Sequence, residues 1–319
     1  MKPFNILLTC SANKTQILEW VKNSINKFDT KINVYCGDKD NQVLTKHLSD
    51  NFWKMPEIKT ANFKKIQNYC IKNNIRIIFP TSDKELVFWS KFREKLKKKK
   101  IFVMVSDEET VKKCLDKLAF YKLNKNSNSS IFTSKNIKDF KTKKKFVSKK
   151  RFGYGSRNII LNSDYTNILS ITKNNRQSYI FQDYIKSDSE ISVDCYFSSK
   201  NNRLLKALPR TRNLIITGES AVTTVINNNK FFNYIKDISK NMRFSGHVMF
   251  QFLLKKKKFY LLECNPRIGG ASYISYFNSM DSLYYFIFES FFPKKKIKLE
   301  KNTINKSKLL VYKTIKFLK

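Results

Sequence analysis

The hydrophobic pattern of the chain changes period near residue 110, and this change constrains the fold more than any other feature. Up to about residue 105, short apolar runs alternate with amphipathic segments. Asn5–Thr9 reads as a buried strand, and Thr15–Lys27 carries Ile17, Leu18, Val21 and Ile25 at helical spacing. Lys31–Tyr35 is a second strand, ending at Cys36-Gly37-Asp38, and Asn62–Asn73 is helical with Phe63, Ile66, Tyr69 and Cys70 on one face. Ile75–Pro80 is a continuous apolar strand stopped by proline. Thr81-Ser82-Asp83 then opens a helix over 85–97, with Ser82 or Asp83 as its cap. Ile101–Val105 is a further strand, and Ser106-Asp107-Glu108-Glu109 is a helix start. Such alternation predicts a parallel sheet covered by helices on both faces.

Beyond residue 110 the spacing predicts one helix over Glu109–Lys122, a polar loop over Asn124–Ser130, and then strands joined by turns. The strands are Lys145–Lys149, Ser156–Leu161, Ser178–Asp183, Ile191–Ser198 and Arg203–Leu208, a pattern of antiparallel sheets. A helix over Phe231–Met242 precedes the strands His247–Leu254 and Phe259–Asn265, which lysines 255–258 join as a hairpin. Ser282–Phe291 is the last helix, and residues 294–319 form a basic, weakly patterned tail.

The formal charge of +38 is compatible with a nucleic-acid or anionic-membrane binder. Its lysines, however, fall in short turn-like runs, at 97–100, 143–145, 255–258 and 294–296, and not in one stripe with interleaved aromatics. Lys, Asn, Ile and Phe are all inflated while Gly, Ala and Pro are scarce, so coding bias is the favoured source of the charge. No apolar run reaches the roughly 20 residues of a membrane span. The apolar stretch after Met1 lacks the length and cleavage site of a signal peptide and reads as the first strand. Six scattered cysteines without a C-x-x-C pair, and only two histidines, argue against zinc and for reduced thiols in a cytoplasmic protein. Neither a Ser/His/Asp nor a Cys/His nucleophile pattern is readable, and His247, within a strand, reads as structural.

Only seven glycines occur, where about 7% is usual. A chain so poor in glycine should keep it where a side chain cannot fit. Most of the seven sit in three polar segments: Phe152-Gly153-Tyr154-Gly155-Ser156, Thr217-Gly218-Glu219-Ser220 and Pro266-Arg267-Ile268-Gly269-Gly270. Immediately before the last comes Leu261-Leu262-Glu263-Cys264-Asn265. On a strand, Glu263 and Asn265 project to one side and Leu262 and Cys264 to the other. Gln251 is the polar exception among Phe250, Phe252, Leu253 and Leu254 of the partner strand. Three oxygen-bearing side chains on adjacent strands suit a hard cation such as Mg²⁺, which is usually completed by substrate phosphates.

Glu263-Cys264-Asn265-Pro266-Arg267, with Gln251 upstream, resembles the metal-binding end of ATP-grasp ligases, closest to the carbamoyl-phosphate-synthetase-like branch. The resemblance implies ATP and two Mg²⁺ ions, with Mn²⁺ able to substitute, held by Gln251, Glu263 and Asn265, and Arg267 facing the transferred phosphoryl group. Asp116-Lys117-x-x-Phe120 resembles the helix whose basic residue reaches the phosphates, here Lys117. Phe146-Val147-Ser148-Lys149 resembles the strand whose lysine contacts the α- and β-phosphates, with Gly153, Gly155 and Ser156 as the phosphate turn. Lys150 stands where the family usually has proline. Gln182-Asp183-Tyr184-Ile185 resembles the adenine hinge, with Asp183 where glutamate is common, and Glu190 follows at the spacing of the ribose-binding glutamate. Arg210 and Arg212 share a strand face, and Arg212 would line the acceptor side.

By this resemblance the fold is α/β and α+β: a Rossmann-like pre-ATP-grasp domain over 1–108, ATP-grasp small and large subdomains over 109–183 and 184–293, and the basic tail. The implied activity joins a carboxylate to an amine through an acyl phosphate, forming ADP, with Lys149, Arg212 and Arg267 at the reacting groups. Small-molecule carboxylate and amine substrates are its expected partners, with no specific nucleic acid, no membrane span and a homodimer admitted. The competing readings are a catalytically silent ATP-binding module and a basic nucleic-acid-binding protein.

Overall fold

The computed structural model describes residues 1–153, 159–172, 178–299 and 308–310. Its N-terminal part runs β1 (Phe4–Thr9), α1 (Thr15–Ile25), β2 (Ile32–Asp38), α2 (Leu44–Leu48), β3 (Asn51–Lys54), α3 (Phe63–Lys72), β4 (Ile75–Pro80), α4 (Asp83–Lys97) and β5 (Phe102–Val103). The five strands form a parallel sheet in the order β3-β2-β1-β4-β5. Strand order reverses between β1 and β4, so the carboxyl ends of these two strands flank the crevice where ligands bind in open sheets of this kind.

Alternation along β1 covers both faces. Ile6 and Leu8 pack with Ile17, Trp20 and Val21 of α1, while Leu7 packs with Ile66 of α3 and with Leu86 and Trp89 of α4. Helix α4 starts at a Ser82–Glu85 capping box. The Glu85 carboxylate, 1% exposed, accepts from Thr81 N (2.8 Å), Ser82 N (3.0 Å), Thr9 Oγ1 (2.5 Å) and Trp89 Nε1 (2.8 Å). One side chain therefore ties the ends of β1 and β4 to the start of α4.

The expected single helix over Glu109–Lys122 is two: α5 (Glu108–Leu115) and α6 (Lys117–Asn124). Asp116 between them is extended, caps α6 by accepting from Leu118 N and Ala119 N, and forms a two-pronged ion pair with Arg151. Burial pushes its carboxyl upward, but Arg151 and the two backbone donors outweigh this and hold it below the usual range. The partner that breaks the helix is 35 residues away, so local spacing carried no sign of it.

A four-stranded antiparallel sheet follows, ordered β6-β9-β7-β8, from β6 (Thr133–Ser134), β7 (Phe146–Lys150), β8 (Ile160–Ser163) and β9 (Tyr179–Asp183), with α7 (Tyr165–Thr172) between β8 and β9. The larger sheet is built from β10 (Ser189–Phe197), β11 (Leu204–Ile216), β12 (Glu219–Val225), β13 (Gly246–Lys255), β14 (Lys258–Asn265) and β15 (Lys308–Leu310), ordered β14-β13-β10-β11-β12-β15. Helices α8 (Lys230–Ile238) and α9 (Ser282–Phe291) complete the chain. Two features differ from expectation. The strand at Arg203–Leu208 continues to Ile216 and turns at Thr217-Gly218 into β12; Gly218 has φ 81°. Within the basic tail, Lys308–Leu310 pairs with Val222–Thr224. The β13–β14 hairpin turns on Lys256 and Lys257, both with positive φ, the geometry whose twist suits a two-residue loop.

One face of the large sheet is apolar. Ile191, Val193, Val248, Phe250 and Phe252 bury there against Phe231 and Ile235 of α8 and Phe120 of α6. The opposite face carries the alternate residues Glu190, Ser192, Asp194, Arg210, Arg212 and Gln251, then becomes apolar at Tyr196, Leu208 and Val225. That apolar end joins the core of the N-terminal sheet, together with Leu283, Phe286 and Ile287 of α9. The polar stretch is thereby held next to the carboxyl ends of β1 and β4. Among the described residues no helix is long and apolar enough to cross a membrane.

Candidate functional site

Strand register assembles the polar residues in rows. Gln251 pairs with Glu263 and with Ser192, and Ser192 pairs with Arg210. One row therefore reads Glu263, Gln251, Ser192, Arg210 across four strands. The next reads Asn265, Met249, Asp194. Cross-strand pairs share a face, so Gln251, Glu263 and Asn265 are neighbours on the polar side. Asn265 Nδ2 donates to Glu263 Oε1 at 3.3 Å. The buried Ser192 hydroxyl beside Gln251 has no hydrogen-bond partner among the described residues. Among those residues no three His, Cys, Asp or Glu side chains gather to hold a metal, so a cation here would rest on one carboxylate and the two carboxamide oxygens. Such an all-oxygen set, with an unsatisfied hydroxyl next to it, fits Mg²⁺.

Two lysines face this row. Lys117, at the start of α6, lies 3.8 Å from Glu263 Oε2 and donates to Gly153 O at 2.6 Å. Lys149, on β7, is 4% exposed and donates to Gln182 Oε1 at 2.8 Å; Gln182 Nε2 in turn donates to Thr133 Oγ1 at 2.9 Å. Burial lowers the Lys149 ammonium to about 8; the Glu263 charge works against this and the Lys117 charge adds to it. Lys117, Tyr121, Ser130, Lys149, Gln182 and Leu261 line one narrow cleft of about 10 Å³, the space of a single water. The Ser130 hydroxyl there also lacks a partner among the described residues. A larger ligand would need the β7–β9 sheet to draw away from β14.

The remaining expected residues have the following positions. Asp183 ends β9, with its carboxylate 3.1 Å from Lys143 Nζ, and Tyr184 and Ile185 lie half-buried outside any strand. Glu190 is taken by Arg212, whose Nη1 donates to its carboxylate at 2.7 Å. Arg212 also donates to Ser220 Oγ (3.0 Å) and Gly218 O (2.7 Å), so it anchors the β11–β12 turn. Arg267 does not point free towards Glu263: Nε and Nη2 grip both oxygens of Asp83, at 2.8 and 2.6 Å. Gly155 and Ser156 lie outside the described residues, and Gly153 is exposed beside Lys117.

A constellation absent from the sequence reading appears beneath the row. His247 lies 3.0 Å from Ser282 Oγ through Nδ1 and 3.2 Å from Asp194 Oδ1 through Nε2. This is a Ser-His-Asp arrangement, but Ser282 and Asp194 are wholly buried and His247 is 2% exposed. Asp194 also accepts from Arg210 Nε (2.7 Å), Ser272 Oγ (2.5 Å) and Ser275 Oγ (3.2 Å). Saturated and closed to solvent, the group is a structural node joining β10, β11, β13, the 272–278 turn and α9. Burial alone would raise the Asp194 carboxyl; Arg210 and His247 reverse this and hold it well below the carboxylate range.

Comparison with known proteins gives the same architecture. Residues 6–104 match the PylC-like N-terminal domain, and residues 175–306 match the family described as ATP-grasp in the biosynthetic pathway with Ter operon. No curated protein matches the chain. Among solved structures, the biotin carboxylase domain of Hydrogenobacter thermophilus 2-oxoglutarate carboxylase, in complex with MgADP, ADP and bicarbonate, superposes with a TM-score of 0.72 at 13% identity, over 93% of this chain and 71% of that one. The Staphylococcus aureus N5-carboxyaminoimidazole synthetase with ADP gives 0.68 at 14%, over 89% and 76%. Campylobacter jejuni biotin carboxylase, in a β-γ-ATP complex, gives 0.68 at 16%, over 90% and 70%. Residues 6–104 are thus similar to a PylC-like N-terminal domain and residues 175–306 to an ATP-grasp family, and the chain shares the fold of these ATP-grasp structures.

Proposed function

We propose that the protein is an ATP- and Mg²⁺-dependent ligase that joins a carboxylate to an amine. The observation that carries this reading is the Gln251–Glu263–Asn265 group with two lysines beside it, Lys117 at 3.8 Å from Glu263 and Lys149 within reach of the Glu263 charge. Gln251, Glu263 and Asn265 would hold the metal, following the carbamoyl-phosphate-synthetase-like pattern. Bound Mg²⁺, two ions by that pattern with Mn²⁺ as a substitute, would neutralise charge on the ATP phosphates. Lys117 and Lys149 supply fixed positive charge on the same phosphates, in a site where burial strengthens it. Tyr184 and Ile185, outside the strand ladder, offer backbone groups to adenine. In the reaction, a carboxylate oxygen of the substrate bonds to the γ-phosphorus as the bond to ADP breaks. The amine nitrogen then bonds to the acyl carbon, phosphate leaves and the amine gives up a proton. No protein nucleophile enters either step, so catalysis rests on positioning and electrostatics. The six unpaired cysteines suit a reducing compartment, and we assign the enzyme to the cytoplasm.

Calorimetry of ATP and ADP binding, with and without Mg²⁺, tests this directly. Mg-dependent binding with preference for ATP supports the ligase. Metal-independent binding would favour a silent nucleotide module, and no binding by folded protein would sink the reading. The Lys149 value adds a pH signature. Phosphates bind its charged form, so MgATP affinity should fall as pH rises through about 8. Lys149→Arg, permanently charged, should flatten that profile. Stability runs the other way: between about 8 and 10.5 the unfolded chain keeps a proton that the folded one has shed, so this residue makes stability rise with pH across that window.

A further inference from the structure

We propose that Asp83, contributed by the N-terminal domain, is the positioning residue for Arg267, orienting its guanidinium towards the terminal phosphate of ATP. The inference rests on the ligase reading and adds to it a residue 184 positions away from Arg267 in the chain.

Arg267 follows directly on the strand that carries Glu263 and Asn265, and its backbone N–H is bound to Asn265 O at 2.8 Å. Its side chain could sweep a wide arc, yet three of its five N–H groups are engaged: Nε and Nη2 on the two Asp83 oxygens and Nη1 on Ile268 O at 3.0 Å. Among the described residues one N–H on each terminal nitrogen has no acceptor and remains for a ligand. A two-pronged grip by a carboxylate fixes the plane of a guanidinium as no single contact can.

Asp83 suits that task because its turn is tied down. It is the first residue of α4, where a carboxylate is favoured by the helix dipole. The neighbouring Glu85 carboxylate locks the same turn to Thr9, at the end of β1. The Asp83 side chain is 9% exposed and that of Arg267 18%, so the pair is shielded but not sealed from solvent. Asp83 thus makes the orientation of a phosphate-facing arginine depend on docking of the N-terminal domain.

The test measures the ratio of MgATP to MgADP affinity for the full chain, with thermal stability recorded alongside. Asp83→Asn should lower ATP affinity about tenfold, the loss expected when a partner that orients a ligating group is removed, and leave ADP affinity unchanged. Asp83→Ser, also helix-compatible, serves if the first variant does not fold. The exchange Asp83→Arg with Arg267→Asp rebuilds the tie with its charges reversed; it should recover stability and leave the ATP preference lost. An unchanged ratio in folded Asp83 variants, or a ratio that rises because Asp83 had been blocking Arg267, overturns the inference and spares the ligase reading. Failure of the wild type to bind ATP would remove both.

Discussion

Glu263→Ala is expected to abolish Mg-dependent ATP binding while the protein stays folded. Glu263 is the one carboxylate of the Gln251–Glu263–Asn265 group; Gln251 and Asn265 bring neutral oxygens only. Removing a partner that merely orients a ligand costs about 10–100-fold in metal affinity, so losing the ionised ligand itself should cost at least about a hundredfold. The same change strips Lys117 of its anion at 3.8 Å and removes the charge that props up Lys149. Lys149 should then lose its proton at lower pH than in the wild type, and the residual nucleotide affinity should fall off earlier as pH rises. Stability should change little, because Glu263 is part-exposed, at 26%. Calorimetry with and without Mg²⁺, run over a pH series, reads both effects. Wild-type binding in the variant would remove Glu263 from the site.

Asp194→Ala is expected to give the largest loss of stability, about 3–5 kcal/mol, because it leaves the Arg210 guanidinium buried without its counter-ion. Arg210 is 1% exposed, and its other contacts, Thr223 Oγ1 at 3.2 Å and Met249 Sδ at 3.3 Å, are neutral. Adding Arg210→Met should recover much of the loss, since apolar replacement of a whole buried pair is often near neutral. The sign of the pH dependence follows from the depressed Asp194 carboxyl. Its contribution is intact above the ordinary aspartate value of 3.8 and is lost only as pH falls below that towards its folded value. Denaturant midpoints for the two single variants and the double variant measure the coupling. Equal midpoints for wild type and Asp194→Ala would show that the node carries no net stability.

The periods of the sequence predicted the parallel N-terminal sheet, the start of α4, the β13–β14 hairpin and the side of β14 on which Glu263 and Asn265 stand. All of these follow from repeats of two or 3.6 residues and from capping chemistry, which act within one turn or one strand. The rows were half legible. Gln251 could be named as the odd polar residue of its strand, but its register against Glu263 depends on a hairpin closed by two lysines with positive φ, residues with no special preference for that turn.

What the periods could not supply is the choice of partners for charges. Asp116 stops a helix because Arg151 meets it, Glu190 is claimed by Arg212, and Arg267 turns to Asp83 across the domain boundary. Ser282, His247 and Asp194 come together from two strands and a helix end into a wholly buried node. Residue type and spacing thus identified most of the strands and helices and pointed to the groups proposed to bind metal and phosphate. Which of those groups stay free for a ligand, and which are spent on one another, depends on contacts between residues tens to hundreds of positions apart. Such contacts exist only once the sheets have packed, because a charge finds its counter-ion by distance in space and not along the chain.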